Sequence, residues 1–111
     1  MDRWTSPPGG GRIRSWCFGY KSRRFALEYE RSPKALREYS RIQREIEAEN
    51  HVEVFLYLMP NDHLLEFVGQ CFAATRRRLY LGLAQQFTEL GLDAPVVEAS
   101  TGRKLTFRKA L

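Results

Sequence analysis

The sequence has little of what commits a small protein to a particular chemistry. Cysteine and histidine occur twice each. Cys17, His51, His63 and Cys71 include no tight knuckle of the kind zinc sites use, so no metal is implied. Two cysteines give no disulfide framework; both are expected as reduced core thiols, which suits an intracellular, cytoplasmic or nuclear setting. No run approaches the roughly 20 apolar residues of a membrane span. The opening MDRWTSPPGGG has prolines and glycines where a signal peptide carries its apolar core. PPGGGR lacks the Lys-Ser/Thr of a P-loop. Catalytic signatures are missing too. His63 and Cys71 lie eight positions apart on one expected helix, beyond hydrogen-bond reach of each other. Glu45, Glu47, Glu49, Glu53, Asp62 and Glu66 read as a solvated acidic run. No catalytic residue and no cofactor is assigned, and the protein is expected not to be an enzyme.

What is present is enough for a core and an uneven charge. The chain has 111 residues, of which 43% are hydrophobic and 13% aromatic, sufficient for one folded domain. Net charge is +5, but residues 1–44 hold 11 basic against 4 acidic side chains, 45–75 hold no basic and 6 acidic, and 76–111 hold 7 against 3. The two ends therefore favour acidic partners, while the middle is able to pair with them internally.

Periodicity gives the expected elements. Residues 1–11 read as a flexible leader and 12–111 as a single α+β domain. RIRSWCFGY and RRFALEYE alternate as two strands of a hairpin, with the turn around Gly19 to Ser22. Residues 33–48 read as an amphipathic helix capped by Ser32, with Pro33 at the first helical position. Its charges run against the macrodipole, Lys34 and Arg37 early and Glu45, Glu47 and Glu49 late. Basic groups from elsewhere, or a longer helix, have to meet those glutamates. VEVFLYLM reads as a strand. Leu65, Val68, Phe72, Leu79, Leu83, Phe87 and Leu90 recur at helical spacing, so 62–90 is expected as one long helix, capped by Asn61 or Asp62 and ended by Gly91. DAPVV and the residues to Phe107 read as a second hairpin turning around Ser100 to Gly102. The order ββαβαββ gives two helices on one face of a small antiparallel or mixed sheet. The alternative extends the first helix to residue 58 and pairs it with the long helix as a central αα-hairpin flanked by terminal β-hairpins.

Two sets of candidate binding residues follow. Phe67, Cys71, Ala74 and Leu81, interrupted by Arg78, form a second apolar line on the long helix, a surface for another protein or a second copy. Gly69 and Gly82 point to close approach of another element there. Basic residues also interleave with aromatics in both hairpins. If the hairpins are neighbours, Arg12, Arg14, Lys21, Arg23, Arg24, Arg103, Lys104 and Arg108 make one face for a polyanion, RNA or an acidic protein, with Trp16 and Tyr20 stacking on bases. The expected function is a non-enzymatic adaptor or assembly subunit; the alternative is an RNA- or DNA-binding domain.

Overall fold

The computed structural model describes residues 14–20, 23–31 and 34–111. The leader expected over 1–11, and the Ser32-Pro33 cap, lie outside them. The fold is α+β. Among the described residues six strands, β1 (Arg14–Tyr20), β2 (Arg23–Tyr29), β3 (Val54–Met59), β4 (Arg78–Leu83), β5 (Pro95–Glu98) and β6 (Lys104–Thr106), form one mixed sheet in sequential order. β2, β3 and β4 are parallel; the other pairings are antiparallel.

β3 sits at the centre of the parallel trio, and all six of its residues are buried. A parallel strand covered on both faces reads as a continuous apolar run, and VFLYLM is one. Two crossovers surround it. Helix α1 (Leu36–Ala48) links β2 to β3, and helix α2 (Asp62–Cys71) links β3 to β4. Both connections step in the same direction across the sheet, so the common right-handed crossover puts both helices on the same face. There Tyr39, Ile42, Ile46, Leu64, Val68 and Phe72 cover Phe55, Tyr57, Met59, Leu79 and Leu81. The opposite face, Phe25, Val54, Leu56, Leu58, Tyr80 and Val96, is covered by two short helices, α3 (Ala84–Leu90) and α4 (Phe107–Ala110), and the 3₁₀ turn between α3 and β5. Among the described residues no helix is long and apolar enough to cross a membrane.

The long helix over 62–90 is not formed. It is α2, a turn, strand β4 and α3, so the order is ββαβαβαββα rather than ββαβαββ, and helices lie on both faces rather than one. The αα-hairpin alternative fails with it, because 54–59 is strand. The cause is the run Leu79-Tyr80-Leu81. All three are buried, two toward α2 and one toward the opposite layer. A strand turns successive residues to opposite faces, whereas a helix would spread the three over only part of its circumference. The glycines did mark close approach. A Cβ on Gly82 would stand 3.3 Å from Val96 and 3.4 Å from Leu58, and one on Gly69 would stand 3.3 Å from Leu81. That approach is intramolecular, α2 on β4 and β4 within its own sheet.

The helix expected over 33–48 opens only at Leu36, with Ala35 in the N-cap position and no side-chain cap, so a Ser32 cap with Pro33 in the first turn does not start it. The signals at Asn61 and Gly91 do mark element ends. Asn61 Oδ1 accepts from the Leu64 amide at 2.9 Å, and Gly91 ends α3 at φ 57°. The second hairpin turns where expected, with Gly102 at φ 74°, but Phe107 opens α4 instead of extending β6.

Replacing Leu81, 1% exposed, by Ala is expected to cost about 2–5 kcal/mol. Phe67→Ser, at a side chain 39% exposed, is expected to cost much less; urea unfolding of the two variants measures the difference.

Candidate functional site

Two buried polar arrangements fix the ends of the parallel strands. Beyond the C-terminal end of β2, Glu30 is fully buried. Its carboxyl oxygens accept from the Tyr57 hydroxyl and from Lys34 Nζ. The Lys34 amide in turn donates to Tyr39 Oη at 3.1 Å. Burial, and then the hydrogen bond and charge of Glu30, push the Tyr57 hydroxyl far above its ordinary value of 10.0. Burial pushes Tyr39 in the same direction. The Glu30 group is closed off from solvent and serves as a tie between β2, β3 and the segment entering α1.

At the other end, the arginine run divides its labour. Glu47, in the last turn of α1, accepts from the Thr75 hydroxyl and, at 2.9 Å, from the Arg76 amide. The Thr75 hydrogen bond leads the effects that hold the Glu47 carboxyl below the ordinary carboxylate range. Arg77 turns inward. Its guanidinium donates to the carbonyls of Glu47, Glu49 and Val52 and lies 5.5 Å from the centre of the Phe55 ring. No basic residue occupies the last turn of α1; Arg77 supplies that charge from another segment, which answers the reversed charge order of the helix. Arg76 and Arg78 remain exposed.

This end of the sheet gathers the basic residues. Strands β2, β3 and β4 start here, and β1 and β5 end here. The two hairpins are not neighbours, because β3 and β4 separate them. Their turns nevertheless lie at the same end, with Arg76–Arg78 between them. Among the described residues it carries Arg23, Arg24, Arg76, Arg77, Arg78, Arg103 and Lys104 against Glu47, Glu49, Glu53 and Glu98. From β2 to β6 is four strand spacings, ~19 Å. Some of these cations are engaged. Arg103 lies 3.7 Å from Glu98, Arg23 donates to the Leu111 carbonyl at 3.0 Å, and Arg78 reaches the Ala110 carbonyl at 3.5 Å. Arg24, Arg76, Arg78, Arg103 and Lys104 are all exposed.

The remaining expected residues are dispersed. Arg108 is at the opposite end, 3.2 Å from Asp93. Arg14 opens β1, also at that end, opposite Tyr29; Tyr20 pairs with Arg23 at the basic end and Trp16 pairs with Leu27 in mid-sheet. Arg12 and Lys21 lie outside the described residues. The apolar line of the imagined long helix does not exist as a surface. Leu81 is core, Cys71 is half-buried against the α1–α2 layer, Ala74 is exposed in a turn, and Arg78 begins a strand. Phe67 meets Tyr39 edge-on with ring centroids 5.7 Å apart. In the turn between β5 and β6, Gly102 N donates to Glu98 O at 2.8 Å and Arg103 N to Thr101 Oγ1 at 3.1 Å, so these amides are taken up within the turn.

Arg77→Gln is expected to cost about 2 kcal/mol, because charged-group hydrogen bonds to three carbonyls are weakened together, whereas Arg76→Gln stays within about 0.5 kcal/mol; urea midpoints distinguish them. A second expectation concerns alkali. The unfolded chain releases the Tyr57 proton near pH 10 and the folded chain retains it, so stability present below pH 10 declines as pH rises above it. Tyr57→Phe is expected to flatten part of that decline, Tyr39 supplying the remainder, and to lower stability at neutral pH. No protein-family model, curated protein or solved structure matches the chain, so the functional reading rests on this geometry.

Proposed function

We propose that the protein is a non-enzymatic interaction module whose basic sheet end engages the phosphate backbone of a nucleic acid. The observation that carries this is the convergence of residues 23–24, 76–78 and 103–104, far apart in sequence, at the start of the parallel strands. Six of the seven cations there are arginines. The planar guanidinium fork matches phosphate oxygens in a way an ammonium does not. Arg77 anchors the cluster from beneath by its carbonyl contacts, so the run that presents Arg76 and Arg78 is held to the α1 terminus. Tyr20 has its backbone position at this end and is the candidate for stacking on an unpaired base. The buried Glu30 supports a structural role for the one enclosed carboxyl group among the described residues.

Salt dependence is the test. Fluorescence anisotropy with labelled single-stranded RNA and duplex DNA, from 50 to 200 mM salt, reads the number of phosphates engaged. The Arg76→Gln/Arg103→Gln/Lys104→Gln variant is expected to reduce the log–log slope on single strands by about 2, at ~0.7 per phosphate. Arg108→Gln, at the opposite end, is expected to leave it unchanged. Absence of binding at 50 mM, or equal losses in the two variants, contradicts the reading; binding of an acidic protein instead would redirect the same surface to carboxylates.

A further inference from the structure

Helix α1 carries a second row of cations that sequence patterning of the hairpins did not single out. Arg37, Arg41 and Arg44 are all exposed. At 100° per residue they fall within about 60° of one another, on the side of the helix opposite Tyr39, Ile42 and Ile46, which are buried. Seven residues at 1.5 Å make the row ~10 Å long. Its neighbours are mixed. Glu38 approaches Arg41 at 4.0 Å, and Glu45 lies on the same flank as Glu38. On the other flank Ser40, Gln43, Arg44, Glu47 and Ala48 line an open concavity of about 530 Å³.

The crossover fixes where the row leads. α1 leaves the C-terminal end of β2 and must return to the start of β3, so its last turn arrives at the basic end of the sheet. Glu47, one turn beyond Arg44, is the residue that accepts from the Thr75 hydroxyl and the Arg76 amide. The joint between α1 and the arginine run is therefore a set of hydrogen bonds, with Arg44 on one side of it and Arg76 on the other. Arginines at i,i+4 and i,i+3 repel one another by a few tenths of a kcal/mol in a helix. A phosphate backbone lying along the row would relieve that repulsion.

We infer that the sheet-end site continues along α1 through Arg44, Arg41 and Arg37, and that its partner is an extended nucleic-acid strand rather than a mononucleotide or an isolated phosphate. This rests on the preceding reading of the sheet end. Traced along the row and then across the sheet end, the path is ~30 Å, which at 3.4 Å per stacked nucleotide is roughly nine nucleotides.

Oligouridylates of 4, 8, 12 and 16 nucleotides, titrated by anisotropy against the full chain, test it. Wild-type affinity is expected to climb until the length reaches 8–12 nucleotides. Arg37→Gln/Arg41→Gln/Arg44→Gln is expected to reach its plateau at a shorter length, with a salt slope lower by about 2. A thermal melt verifies its fold, and Arg41→Gln alone provides a milder variant with a smaller change in the same direction. If the helix variant keeps the wild-type length dependence and slope while the sheet-end variant loses slope, the extension along α1 is wrong and the sheet-end reading stands. If the wild-type chain binds no oligonucleotide, or binds anionic phosphatidylserine vesicles instead, both are wrong.

Discussion

The structure depends on one strand buried on both sides. β3 has parallel neighbours on each edge and no residue facing water. Parallel pairing cannot be made with a tight turn, so each neighbour requires a crossover, and here each crossover carries a helix. Shared handedness sends both helices to one face and leaves the other uncovered. The chain then reverses at β4, and α3 and α4 close the second face with Phe87, Leu92, Phe107 and Ala110. Without that second layer Val54, Leu56 and Leu58 would face solvent.

The same topology sorts the charges. Parallel strands start together, so segments separated by dozens of residues share an end. The crossover helix α1 adds its C-terminus to that end, where backbone carbonyls lack partners within the helix. Arg77 meets them from beyond α2, and the Phe55 ring supports its guanidinium. One arginine of the run thus becomes part of the framework, while those on either side point outward. Consecutive residues divide in this way because an extended backbone alternates its side chains.

Much of this was legible in the sequence, and the failures have definite causes. The first hairpin, the faces of β2, the body of the helix expected over 33–48, the strand in VFLYLM and the second hairpin all follow from periodicity that tertiary packing reinforces; only the start of that helix, at Leu36, differs. Arg77 was legible only as a need, through the missing cation at the end of α1. The long helix failed because α2 and α3 share an apolar phase that skips over β4. Leu79 and Leu83 fit one helical stripe and Leu81 a second, so Leu79-Tyr80-Leu81 does not stand out as the consecutive apolar signature of a doubly covered strand. The candidate polyanion residues come together only in part, and not by the neighbouring of hairpins that the sequence suggests. The hairpins occupy opposite sides of β3 and β4, yet their turns meet at one end, a consequence of strand direction that needs the topology to be seen.

The central claim is that three basic segments at the start of the parallel strands, the middle one held to the α1 terminus, act as one surface. Amide NMR shifts of the labelled protein, followed during titration with a 12-nucleotide single-stranded RNA near 100 mM salt, test it most directly. The account predicts that residues 23–24, 76–78 and 103–104 shift together with a common midpoint, while Asp93 and Arg108 stay in place. Shifts concentrated at the opposite end, or at one of the three segments alone, would contradict it.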